Sequence, residues 1–192
     1  MSAKNKFNFV PRMLLVFCVA LAFVAGNARA SLDMFLDLGP DIPGESRDSQ
    51  FSDKVDVLAW SWGMSNSGTT HVGGGSGAGV ASCQDLSVTK YVDKASPPLV
   101  LACAAGTRLP TVVLTVRTLT SSEAKVVTMK YTLSEVLVTS VSTGASGGES
   151  KPTENITLNF AQVKFEYTII NQDGTAGSTS SADVDFTSVP TQ

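Results

Sequence analysis

Residues 55–94, VDVLAWSWGMSNSGTTHVGGGSGAGVASCQDLSVTKYVDK, constrain the fold more than any other stretch of the chain. A tryptophan-bearing strand runs into a long glycine-rich loop, and a second strand follows. Trp60 and Trp62 are two residues apart, so in extended backbone they share a face with Leu58, while Val57, Ala59 and Ser61 take the other. The heavy face reads as a core anchor, because each indole buries a large apolar area and needs only a local partner for its N–H. A ligand-stacking platform is the competing reading of Trp60 and Trp62. The small face reads as a surface meant to be approached closely.

Alternating and β-branched runs dominate the rest, and helix-period stretches are scarce. Met34–Leu38 reads as a first strand, followed by the turn-rich GPDIPGESRDSQ. Val55–Gly63 and Asp85–Val92 flank the glycine loop. The best helix is Pro97–Ala105, with Ser96 as its N-cap and Gly106 as its C-cap. Thr111–Arg117, Lys125–Thr132 and Glu135–Val141 read as three strands of an antiparallel meander, with Leu133-Ser134 as the second turn. In the first of them Val112, Leu114 and Val116 oppose Thr111, Thr115 and Arg117. The last long strand changes phase: Ile156, Leu158 and Phe160 share one face, but Val163, Phe165, Tyr167 and Ile169 continue in the opposite register. A bulge near Ala161-Gln162 and a strand passing from one sheet to another account for this equally well. The tail from about residue 171 is polar, with one edge strand at Asp183–Ser188. The expected class is mainly β, an antiparallel two-sheet barrel-like unit with one short helix.

The first 30 of the 192 residues belong to a different chemistry. Lys4, Lys6 and Arg12 precede the uncharged apolar run Met13–Gly26, and Ala28-Arg29-Ala30 supplies a cleavage site before Ser31. The apolar run is short for a membrane anchor, so a cleaved signal peptide is expected rather than a stable anchor. A start near Met34 is the alternative. Phe17 is too bulky before Cys18 for a lipoprotein signal. Removal of this leader takes four basic and no acidic residues with it, leaving 162 residues with 10 basic and 17 acidic side chains. That balance argues against nucleic acid, whose binding rests on neutralising phosphates. One domain is expected.

Catalytic constellations are absent from the sequence. Gly73, Gly75 and Ala78 match G-x-G-x-x-A, but a strand rather than a helix follows, so no helix N-terminus meets a phosphate. His71 is the one histidine and has no nucleophile motif near it. No C-x-x-C is present, so neither a metal nor any other cofactor is expected. Cys83 and Cys103 suit two unpaired thiols better than a disulfide, with Cys103 in the core. The glycines from Gly68 to Gly79 instead suit a long loop that packs closely against a neighbouring backbone.

The motifs VDVLAWSWGMSNSG, His71-Val72-Gly73-Gly74-Gly75, QDLSVTKYVDK, EVLVTSVSTGASGGE and TENITLNFAQV, in that order over residues 33–168, resemble the haemolysin-coregulated protein (Hcp) family of type VI secretion tube subunits. The resemblance implies a β-barrel-like subunit that forms hexameric rings, stacked into a secreted tube with effectors in its lumen. It implies no enzyme activity. Gly68, His71, Gly73, Gly74, Gly75, Gly77 and Gly79 would then belong to the loop that seats one ring on the next, and Ser61 and Ser146 would face the lumen. The expected partners are further copies of the chain, secreted effectors, and the tip and sheath components of the apparatus. The leader is foreign to that picture. If it is used, the chain passes through the periplasm; if not, it is cytoplasmic until export. A Sec-exported β-module that keeps the fold outside the machine is the alternative function.

Overall fold

A computed structural model describes residues 32–68, 81–120 and 124–188. The leader at residues 1–30 lies outside them, as do His71, Gly73, Gly74, Gly75, Gly77 and Gly79. In chain order the elements are β1 (Leu32–Asp37), β2 (Val55–Ser61), β3 (Met64–Asn66), β4 (Ala81–Cys83), β5 (Leu86–Tyr91), α1 (Ser96–Ala105), β6 (Arg108–Leu119), β7 (Lys125–Gly144), β8 (Thr153–Asn159), β9 (Gln162–Ile170) and β10 (Ala176–Asp185). Eight strands form one antiparallel sheet in the order β10-β9-β7-β6-β1-β2-β5-β8, and β8 also pairs with β7. The sheet therefore closes on itself, with β9 and β10 carried outside the closure; β3 and β4 form a separate hairpin. The mainly β, barrel-like fold is the one that forms, with one short helix among the described residues.

Closure depends on β7. The expected turn at Leu133-Ser134 does not exist, and 20 residues run as a single strand. Leu133 pairs with Val112 and Ser134 with Thr111, and the ladder resumes at Leu109 opposite Val136. Between those pairs stand Pro110, which has no N–H to donate, and Glu135, held at a left-handed φ of 54°. The strand bends at this interrupted rung instead of reversing. Its first half pairs with β9 and its second half with β8.

The phase change in the last long strand has the same origin. The chain leaves β8 at Asn159 and enters β9 at Gln162, exchanging β5 for β10 as its second neighbour while both halves stay beside β7. Ile156 and Leu158 are fully buried before the break, and Val163 is buried after it. Of the two sequence readings, the break near Ala161-Gln162 is the one realised: the chain bends at Ala161, and β8 and β9 stay in one sheet rather than passing from one sheet to another. Most of the polar tail is sheet as well: β10 begins at Ala176, well before the expected Asp183, because a turn with Gly174 at φ 82° folds it back on β9.

A second correction concerns β2. The pairing with β5 slips between Val57 and Ala59, a bulge that reverses the side-chain alternation. Val55 and Val57 are buried, Leu58 turns out to solvent, and Trp60 and Trp62 then take the inner face. Both indoles pack on Tyr131, with ring centroids 5.0 and 5.8 Å away, and Tyr131 stacks on Phe165 at 4.6 Å.

The helix begins one residue early. Ala95 holds the N-cap position, and Ser96 lies in the first turn. Asp93 closes that turn instead, its carboxylate accepting from the Ala95 N–H at 2.9 Å. The Ser96 hydroxyl is drawn inward: it donates to Glu154 Oε1 (2.6 Å) and accepts from the Asp93 N–H and from Lys90 Nζ. Gly106 ends the helix at φ 63°, as the sequence implies, and Thr107 N–H closes back on the Ala102 carbonyl. Cys83 and Cys103 are both free and both half-buried, so Cys103 borders the core rather than sitting within it.

Candidate functional site: an uncharged polar wall

The outer face of four adjacent strands is built from small neutral side chains. Period-two alternation sets this up. Val88, Ile156 and Leu158 point inward, and Ser87, Thr89, Asn155 and Thr157 stand on the other side of the same strands. Registry then aligns them into rows. Ser61 of β2 lies opposite Ser87 of β5, Ser87 opposite Thr157 of β8, and Thr157 opposite Ser140 of β7. The next row runs Ala59, Thr89, Asn155 and Ser142. At the usual spacing of about 4.8 Å between strands, four strands make a wall roughly 14 Å across.

No side chain in those two rows is charged. Ser87 donates to Asn155 Oδ1 at 3.1 Å. At the rim, Asp85 is occupied by two donors, Thr139 Oγ1 at 2.9 Å and Asn159 Nδ2 at 2.7 Å. Asn155 and Ser142 remain exposed to solvent. Such a surface can exchange hydrogen bonds with water or a passing chain, and it offers no ion pair or large apolar contact to hold one.

Directly beneath the wall lies a buried charge pair. Lys90 and Glu154 face inward from paired positions on β5 and β8, with their side chains 0% and 1% exposed and 2.5 Å between Nζ and Oε1. Lys90 also bonds the Tyr91 carbonyl (2.8 Å) and Asp93 Oδ1 (2.7 Å). This network ties the start of α1 to the sheet. On the far side of the barrel Arg117 is equally hidden. It bonds Asp33 at 2.8 Å and Asp48, and lies 5.1 and 5.3 Å from the stacked rings of Phe35 and Phe51. Its hydrogen bonds hold both carboxyls below their ordinary values, Asp48 far below.

Ser61 stands at the end of the first row and is exposed. Ser146 does not join it; it lies beyond the wall in the β7–β8 loop, where its carbonyl accepts the Glu149 N–H. Gly68 follows β3, its N–H on Asn66 Oδ1 at 2.8 Å, so the chain enters the glycine loop from one strand of a two-stranded stalk. Trp62 Nε1 donates to Cys83 Sγ at the base of that stalk (3.4 Å). Burial pushes the Cys83 thiol up, which keeps it protonated and unreactive. Sequence reasoning missed Ser87, Thr89, Ser140, Ser142, Asn155 and Thr157. The alternation in LSVTKY and TENITLN carried their signal; their alignment into rows depends on pairings between distant strands.

Among the described residues no cluster of His, Cys, Asp and Glu is suited to a metal, and no helix is long and apolar enough to cross a membrane. The fold and the site together define a closed antiparallel barrel with a neutral polar outer wall.

The particular family follows from the comparisons. Residues 35–167 match the family described as "Type VI secretion system effector, Hcp". The chain is 53% identical over 144 residues to Protein hcp1 of Pseudomonas aeruginosa, spanning 75% of this chain and 88% of that protein. The fold matches a solved type six secretion system protein with a TM-score of 0.76 at 30% identity, covering 82% of this chain and 97% of the other. It also matches Hcp1 from Salmonella typhimurium with a TM-score of 0.66 at 30% identity, over 83% and 98% of the two chains. The chain belongs to the Hcp family of type VI secretion proteins.

Proposed function

We propose that this chain is a tube subunit of a type VI secretion system: it forms hexameric rings that stack, leaves the cell with them, and carries effectors in the lumen. Its partners on this reading are further copies of itself, its effectors, and the tip and sheath of the apparatus. The observation that carries the reading is the neutral wall of Ser61, Ser87, Thr157 and Ser140. A hydroxyl-lined surface suits a conduit that must hold folded cargo and then release it. The glycine loop from Gly68 to Gly79, with His71 within it, seats the next ring.

Replacing Ser61 with Tyr is expected to leave the ring mass unchanged in light scattering and to reduce the effector that co-purifies with it. Unchanged cargo, or loss of the ring, would count against the wall as lumen. Ser146→Tyr, beyond the rows, is expected to have the smaller effect. The leader at residues 1–30 favours the second reading, an exported binding module working outside the apparatus. N-terminal sequencing of secreted protein separates the two, since a chain starting at Ser31 has passed through a signal peptidase.

A further inference from the structure

Part of the sheet runs past the closed barrel. Strand β1 pairs with β2 only at Phe35 and Leu36, but with β6 as far as Leu32, so its first residues have a neighbour on one side alone. Beyond the closure the sheet continues as β1, β6, β7, β9 and β10. Its inner face stays apolar. Met34, Val116, Met129 and Tyr167 form one row across four strands, and Leu32 and Ile169 stand two residues further out on theirs. Met34 and Met129 still pack on the core, whereas Leu32, Tyr167 and Ile169 are 57%, 47% and 48% exposed. Three large side chains on the inner face of one sheet, open to water, mark a surface that takes an occupant.

The chain carries a fitting segment at this very place. Ala30 is two residues before Leu32, so the leader joins the barrel at its open end. From β1 to β9 there are three inter-strand spacings, about 14 Å, and the six residues from Gly26 to Leu32 reach up to roughly 20 Å. The uncharged run Met13–Gly26 is therefore long enough in its tether to lie back over the face between Leu32 and Ile169. The other segments outside the described residues do not suit that face. Residues 69–80 are mainly glycine, serine and threonine, 121–123 are Ser-Ser-Glu, and 189–192 end in Pro-Thr-Gln.

We infer that, in a chain that keeps residues 1–30, the apolar run Met13–Gly26 docks on this open end and covers Leu32, Tyr167 and Ile169. The inference is independent of both functional readings above.

Docking makes the fate of the leader depend on folding. A chain whose barrel has closed holds the run against its own sheet, out of reach of a membrane or an export channel. Leader removal must then come before closure. Leu32, the second residue after the Ala30-Ser31 bond, is already a rung of the ladder with Thr118, and Asp33 is tied to the buried Arg117 at 2.8 Å. A peptidase that needs extended chain on both sides of that bond meets it only while β1 is unpaired.

The test uses the full chain from Met1, made by cell-free synthesis without membranes, with Cys18 inside the run as a native probe. Ile169→Cys places a second thiol on the inner face, and Thr168→Cys places one on the opposite face of the same strand; circular dichroism checks that both fold. A flexible bismaleimide is expected to join Cys18 to the new thiol within one chain on the order of tenfold faster at position 169 than at 168, because docking raises the effective concentration on one face only. Peptide mass identifies the joined thiols. Ile169→Asp should release the run, so that chymotrypsin cuts at Phe17 and Phe23 about tenfold faster than in the wild type, the change expected from losing one large aliphatic contact. The released variant, and not the wild type, should float with phospholipid vesicles. Equal cross-linking at 168 and 169 would mean a leader that is merely tethered, and cross-links only between chains would give the face to a second copy; either overturns the inference. So does a chymotryptic rate that Ile169→Asp leaves unchanged, or a wild-type chain that floats as well as the variant.

Discussion

Replacing Lys90 with Met tests the charge pair beneath the polar wall. The substitution keeps most of the stem volume but removes the ammonium that bonds Glu154, Asp93, Ser96 and the Tyr91 carbonyl. Glu154, 2% exposed, would be left with the Ser96 hydroxyl on Oε1, and its Oε2 already has no partner. Removing one member of a buried ion pair costs about 3–5 kcal/mol, because the remaining charge is neither hydrated nor compensated. For a domain of this size each kcal/mol moves the melting temperature by about 2–4 °C, so the loss should be roughly 6–20 °C. The pair itself need not be stabilising. Lys90→Met with Glu154→Leu removes both charges and should recover most of the loss, since desolvation consumes much of what a buried pair gains.

Urea unfolding followed by the fluorescence of Trp60 and Trp62 reads this directly, at one fixed subunit concentration because assembly adds to apparent stability. Glu154→Gln, which keeps the shape and leaves Lys90 with Asp93, should fall between wild type and Lys90→Met. A Lys90→Met protein within about 1 kcal/mol of wild type would refute the reasoning, since it would mean that water reaches Glu154. So would a double variant no more stable than the single one.

Arg117 makes the barrel acid-sensitive. Its hydrogen bonds hold Asp33 and Asp48 below their ordinary values in the folded chain, so their contribution is complete above about pH 4 and is lost as pH falls through the depressed values. Urea midpoints should therefore drop in acid, and Arg117→Met should lower the midpoint at pH 7 while flattening that acid dependence; an unchanged acid slope would rule the cluster out. Gly44 is a packing constraint, since a Cβ there would stand 2.3 Å from the Lys54 carbonyl oxygen and 2.5 Å from the Val55 nitrogen. Gly44→Ala should cost about 1–3 kcal/mol by thermal unfolding, whereas Gly147→Ala, with open space around it, should stay within about 0.5 kcal/mol of wild type.

Local periodicity made much of this fold legible. The inward sets Val112, Leu114, Val116 and Ile156, Leu158 follow from alternation alone, and Gly106 marks the end of α1 by its conformational freedom. The errors occur where a ladder overrides a local signal. Leu133-Ser134 reads as a turn, yet β6 pairs across both sides of it, and one left-handed residue, Glu135, bends the strand instead. Leu58 counts as a core residue until a bulge between Val57 and Ala59 turns it outward. Nothing local in the sequence says that Lys90 and Glu154 face each other across β5 and β8. Ser61 was identifiable, but the row it belongs to was not, since its members come from four strands up to 96 residues apart in sequence order between Ser61 and Thr157.

The buried pair and the neutral wall fit together physically. Thr89 and Asn155 belong to the second row of the wall, and Lys90 and Glu154 are their immediate chain neighbours, pointing the other way. A one-residue slip of β5 would put the Lys90 ammonium on the wall and drive Thr89 inside, and a slip of β8 would do the same with the Glu154 carboxylate and Asn155. Such a slip would bury unpaired hydroxyl and amide groups and expose Val88 and Ile156, so both faces oppose it. The Lys90–Glu154 pair therefore specifies register even if it adds little net stability, which is the best-attested use of a buried ion pair. On the tube reading this register is what keeps the lumen neutral. A charged wall would select cargo by sign and an aliphatic one would hold it by burial, whereas a row of hydroxyls permits both loading and release.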